Sequence, residues 1–148
     1  MKSVDQRTFE VPAHRVWEII REPGNQPAWN PKCVQAENIG TAAVGRKFAV
    51  TYRWKDKEMK ATGEVLEIQP ETRIVFRYHY EDGPMAGSAD EEFELIEEGM
   101  DRTTLVKTIH FKLSGIPKWA QILMGLISRF GKHVGPGEPL DGLDDLLS

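Results

Sequence analysis

Few side chains in this sequence have the type and spacing that chemistry needs. The four histidines, His14, His79, His110 and His133, are scattered, and none has a histidine three or four positions away to share a metal ion from one helix face. No metal and no cofactor is expected. The single cysteine, Cys33, has no histidine or other base beside it and no partner for an intramolecular disulfide, so it reads as structural. There is no Ser-His-Asp spacing, no P-loop, no GxGxxG and no HExxH. The stretch GPGEP near the end is too short and too rich in proline to cradle a phosphate. Glu91, Lys107 and Tyr78 remain as weak candidates for proton transfer. Glu91 shares strand parity with Phe93, and Lys107 with Leu105 and Ile109. If that parity faces inward, the two meet as an ion pair on neighbouring strands and His110 faces out. A slip of one residue reverses this. The alternative leaves one or both charges at an open rim in water.

These residues must be positioned by the elements around them. SVDQRTFEV reads as a first strand, stopped by Pro12. In PAHRVWEIIRE, Ala13, Val16, Trp17 and Ile20 fall on one helical face, and Pro23-Gly24 ends that helix. NQPAWN suggests a second, very short helix. From Lys47 onward the period becomes two. Phe48, Val50, Tyr52 and Trp54 alternate with polar partners, as do Met59, Ala61, Gly63 and Val65. Leu66 and Ile68 change parity, which predicts a bulge between Glu64 and Leu66. Ile74, Phe76, Tyr78 and Tyr80 mark the next strand, Ala89 to Leu95 another, and TTLVKTIHFKL the last. Short alternating strands joined by turns predict an antiparallel meander with one buried face. Lys47, Thr51, Arg53, Arg77 and Glu94 are expected to face water. From Trp119 to Phe130, apolar residues follow a helical stripe that includes Leu123 and Ile127, with Met124 at its edge. Gly131 and GPGEP interrupt the pattern, and LDGLDDLL suggests a last helical turn or two.

The chain has 148 residues, 28% charged and 40% hydrophobic, with a net charge of −4. These totals suit one soluble domain spanning residues 1–148 and argue against a general nucleic-acid binder, which would present a basic face. The longest apolar run is too short and interrupted to span a bilayer, and no signal peptide is legible, so a cytoplasmic monomer or homodimer is expected.

A sheet with one wet face needs a cover on the other, and only the C-terminal stripe is long enough. On the covered face, Ala61, Gly63 and Ala89 are small. Phe48, Tyr52, Phe76, Tyr78 and Phe93 are aromatic, with Val50, Ile109, Glu91 and Lys107 beside them. Small residues facing aromatic walls suggest a ligand cavity, whose helical wall would be Leu123, Met124 and Ile127.

FEVPAHRVWEIIREPGNQPAWNP, then VGRKF, a strand meander and a closing LDGLDDLL together resemble the START-like, or SRPBCC, superfamily over essentially the whole chain. This superfamily includes pollen-allergen-like and polyketide cyclase/dehydrase-like proteins. The resemblance implies an α+β helix-grip fold: a curved seven-stranded antiparallel sheet around a long C-terminal helix, with two short helices after strand 1. It also implies binding or transport of a small hydrophobic molecule such as a lipid or polyketide. The alternatives are a cyclase/dehydrase-like enzyme or a protein-interaction module of the chaperone-activator kind, whose Trp-rich motif is not evident here. Fold alone does not choose among them. Trp29, alone in a polar loop, is expected to wedge where the short helices meet the C-terminal helix.

Overall fold

The structure, a computed structural model, describes residues 2–37, 43–54, 56–81, 86–113, 117–120 and 140–147. A first strand, β1 (Lys2–Phe9), leads into helix α1 (Ala13–Ile20). A 3₁₀ turn (Pro23–Asn25) and the four-residue helix α2 (Gln26–Trp29) follow. Six strands come next: β2 (Cys33–Glu37), β3 (Lys47–Trp54), β4 (Lys57–Gln69), β5 (Arg73–Tyr80), β6 (Gly87–Gly99) and β7 (Arg102–Leu113). A short helix, α3 (Asp141–Leu147), closes the described chain.

The seven strands form one antiparallel sheet in the order β1-β7-β6-β5-β4-β3-β2, curled into a half-barrel. Of the expected long helix over 119–130, residues 119 and 120 are described and helical, and the rest, with Leu123, Met124 and Ile127, lies outside the described residues, as does His133. The C-terminal helix that is described is short.

Period-two alternation builds the sheet because successive side chains point to opposite faces. Phe48, Val50, Phe76, Tyr78 and Phe93 are buried on the concave face, while Lys47, Arg53 and Glu94 are exposed on the other. Thr51 departs from expectation. It has the outward parity but is buried, so the convex face is partly covered there. The bulge lies where the parity change placed it. Pairing between β4 and β5 shifts between Val65 and Glu67, which returns Ile68 to the concave side opposite Ile74.

Helix α1 buries Ala13, Val16, Trp17 and Ile20, the face its spacing predicts. Pro12 precedes it in an extended conformation, and the Arg21 N–H closes it on the Trp17 carbonyl. Each fully buried aliphatic on this face contributes about 1.5–3 kcal/mol. Side-chain bonds hold the turn after it. Asn25 Nδ2 donates to the Ile19 carbonyl at 3.1 Å, and the Lys32 N–H donates to Asn30 Oδ1 at 3.0 Å.

Trp29 is buried in this corner, 5.8 Å from Phe93 in an edge-on ring contact. Gly142 of α3 lies against its backbone: a Cβ at Gly142 would stand 2.2 Å from the Trp29 carbonyl oxygen. Trp29 therefore joins the sheet to the last helix, which answers why so large an apolar side chain sits in a polar loop. No helix among the described residues is long and apolar enough to cross a membrane.

Candidate functional site

The registers place the candidate residues in rows across the concave face. Phe48, Gly63, Tyr78 and Ala89 are successive cross-strand partners from β3 to β6, and Phe76, Glu91 and Ile109 form the next row. Phe93, Lys107 and Asp5 form a third, ending on β1. Tyr78, Glu91 and Lys107 therefore lie on a diagonal, each one strand across and two residues along. Diagonal neighbours are about 7–8 Å apart, within reach of long side chains.

They use that reach. Lys107 Nζ stands 3.5 Å from Glu91 Oε2, and both side chains are almost wholly buried, at 5% and 7% exposure. The Tyr78 hydroxyl donates to Glu91 Oε1 at 3.2 Å. Gln26, at the start of α2, donates from Nε2 to the Tyr78 oxygen at 2.7 Å. The Tyr52 hydroxyl donates to Gln26 Oε1 at 3.0 Å. A single directed chain of hydrogen bonds thus runs from Tyr52 through Gln26 and Tyr78 to the Glu91 carboxylate, which faces the Lys107 ammonium. Every link pairs one donor with one acceptor, as a buried polar network requires.

The register that turns Lys107 inward leaves His110 exposed. His14 and His79 are exposed as well. No cluster of three or more His, Cys, Asp or Glu side chains able to hold a metal ion occurs among the described residues.

Sequence reasoning missed two members of this neighbourhood. Gln26 is 2% exposed although it sits in a loop of Pro, Gly and Asn. The signal was its spacing: Gln26 and Trp29 are three apart on a helix, so a buried Trp carries Gln26 to the same face. Asp5 is the partner of Lys107 on β1, and its Oδ2 is buried without a hydrogen-bond partner among the described residues. Its alternation with Val4 and Gln6 marks it as facing the side opposite theirs.

The expectation that small residues leave open volume is corrected at Gly63. A Cβ there would stand 2.3 Å from Phe48 Cζ, so the Phe48 ring already fills the space above this glycine. Phe48 also meets Phe76 and Tyr78 edge-on, at 5.7 and 5.8 Å. Gly63 seats an aromatic ring across the strand pair, as glycines in sheets often do.

Burial governs the titration of this face. It holds the Tyr52 phenol well above its usual range, with Tyr78 the next cause. It does the same for Tyr78, where the Glu91 charge adds to it. Lys32 is lowered, first by burial and then by the Lys107 cation. Cys33 is pushed up to about 11 by burial, opposed by its bond to the Gln35 carbonyl and reinforced by Glu91. An acid raised on folding favours the neutral folded form. Its contribution to stability is full below the unfolded value near 9.0 and is lost as pH rises through about 11. Cys33 should therefore react with iodoacetamide at pH 8 at least about a hundredfold more slowly than an unfolded cysteine, since two units of pKa remove that factor of thiolate. Equal alkylation rates in the native and urea-unfolded chain would contradict this.

A curled seven-stranded antiparallel sheet, with two short helices between its first two strands and a helix at its end, is the START-like, or SRPBCC, fold. Within it, the chain belongs to the family described as Activator of Hsp90 ATPase homolog 1-like protein, whose model matches residues 10–148.

Solved structures agree on the fold. The protein TTHA0849 from Thermus thermophilus superposes with a TM-score of 0.70 at 17% identity, covering 99% of this chain and 94% of that one. The ZhuI aromatase/cyclase from Streptomyces sp. R1128 gives 0.67 at 19% identity, covering 99% and 83%. Ara h 8.0201 gives 0.61 at 14%, covering 88% and 91%. No curated protein matches the chain.

Proposed function

We propose that this chain binds a small hydrophobic molecule against the concave face of its sheet, with the polar end of that molecule met by the chain of Tyr52, Gln26, Tyr78, Glu91 and Lys107. One observation carries the reading: a connected, buried line of polar groups runs between aromatic walls. An ion pair among apolar residues adds little to stability, because desolvation offsets its attraction. A few convergent polar groups in an apolar recess are the usual form of a small-molecule site.

Ala89 is the cleanest place to test it. Its partner on β5 is Tyr78, and it is buried at 2% exposure. Wild-type protein should bind N-phenyl-1-naphthylamine, a neutral apolar fluorophore, saturably and one to one. Ala89→Phe should weaken that binding while costing less than the roughly 1–3 kcal/mol of overpacking, because the ring enters ligand space. If wild type binds no probe and the variant is destabilised by that full amount, the face is close-packed and the proposal fails.

A second reading, a cyclase-like enzyme, is favoured by the Tyr78 hydroxyl. It accepts from Gln26 and donates to Glu91, so it is held in one orientation for proton relay. The aromatase/cyclase among the structural neighbours lends this reading the fold alone. Tyr78→Phe separates the two: binding of an apolar probe should survive, whereas turnover that needs this proton should not.

A further inference from the structure

The sheet is open, and its two outer strands differ. On one side, β2 has five residues, and its pairing shifts register between Cys33 and Gln35. On the other, β1 has eight residues, contains no proline, and pairs with β7 without interruption from Lys2 to Phe9. Among the described residues no strand pairs with its outer edge. A long, regular outer strand is a template for another strand, and short length, bulges and prolines are the usual ways to prevent that. β2 has two of these safeguards; β1 has none of the three and is guarded by its charges alone, Lys2, Asp5 and Arg7.

We propose that β1 pairs antiparallel with β1 of a second copy, about a two-fold axis through Gln6. The charges along the strand select this register. A two-fold axis perpendicular to the sheet keeps every side chain on its own face, so each pairing must be centred on a residue. Centring on Asp5 would set Asp5 against Asp5, and centring on Arg7 would set Arg7 against Arg7. Like charges directly opposite each other destabilise a strand pair. Centring on Val4 or Thr8 leaves much of the strand unpaired.

Centring on Gln6 sets Asp5 against Arg7, twice by symmetry, with Val4 against Thr8. Val4, now 54% exposed, would gain a neighbour on the convex face. Arg7 donates to Asp144 of its own chain at 2.8 Å, and its five N–H groups allow a second acceptor. The strand is self-complementary in charge about Gln6, and a second copy of this chain is the partner that fits it.

Gln6 is exposed and lies outside the candidate site, so substitutions there test the register without touching the ligand face. The full chain should show reversible dimerisation by sedimentation equilibrium between low micromolar and millimolar concentration. Gln6→Glu and Gln6→Lys should each weaken association by roughly two- to fivefold at low salt, because each places like charges face to face at the axis. Mixing the two variants should restore association to wild-type strength or beyond, as Glu then faces Lys. Circular dichroism should show both variants folded. A wild type that stays monomeric throughout would overturn the proposal. So would a dimer that neither variant weakens, or one that mixing does not restore, since the interface would then lie elsewhere.

Discussion

Lys107→Met should cost about 3–5 kcal/mol in denaturant melts, the range seen when one partner of a buried ion pair is removed. The variant keeps the length and apolar stem of the side chain but leaves the Glu91 carboxylate buried at 7% exposure without its cation. The remaining hydrogen bond from Tyr78, at 3.2 Å, is too long to replace that charge. Changing Glu91 to Gln as well should recover most of the loss. Position 91 then carries no charge, and the amide oxygen still accepts from Tyr78. The coupling between the two sites should reach or exceed the top of the roughly 0.5–3 kcal/mol usual for residues in contact. Additive losses in the double variant would mean that the two side chains act independently and that the ion pair is not the organising contact of the face.

Gly142→Ala should carry the second large effect. A Cβ at this position would meet the Trp29 carbonyl oxygen at 2.2 Å and its carbonyl and α carbons at 2.6 Å. All three are backbone atoms, so no rotamer change relieves the clash, and either α2 or α3 must move. Undocking α3 would expose Leu140, Leu143 and Leu147, all buried, at about 1.5–3 kcal/mol each. A shift is therefore the cheaper response, with a loss at the upper end of the roughly 1–3 kcal/mol typical of overpacking. Amide exchange in α3 should accelerate, and the near-ultraviolet circular dichroism of the buried Trp29 should change. An unchanged melting midpoint would mean that α3 does not seat on Trp29.

Much of the frame was legible because its signals are local. Alternation along each strand determined which side chains share a face, and the broken parity at Leu66 located the bulge. The four-residue spacing of α1 identified its buried side. The shared face of Glu91 and Lys107 followed from parity once one register was chosen, and the pairing of β6 with β7 made that choice, whereas the diagonal that brings Tyr78 to Glu91 needed the register of β5 with β6. What was not legible depends on contacts between distant segments. Gln26 meets partners 26 and 52 positions away, and nothing in its own neighbourhood distinguishes a buried glutamine from a solvated one. Asp5 stands beside Lys107 only because β1 returns to pair with the last strand. Gly63 misled because an absent side chain reads as empty space, whereas the ring that fills it belongs to another strand. Thr51 misled because alternation reports the face of a residue and not what covers it.

Whether the concave face, with its polar line, receives a small apolar molecule can be decided by titration. Isotopically labelled protein is titrated with N-phenyl-1-naphthylamine while its amide resonances are followed. Saturable shifts are expected at Ala61, Ala89, Glu91 and Lys107, together with a shift of the Gln26 side-chain amide, whose two hydrogen bonds join Tyr52 to Tyr78. Thr62, His79 and Glu94, whose side chains are exposed on the opposite face, should move least. Shifts confined to those outward residues, or none at all at probe saturation, would contradict ligand binding on this face.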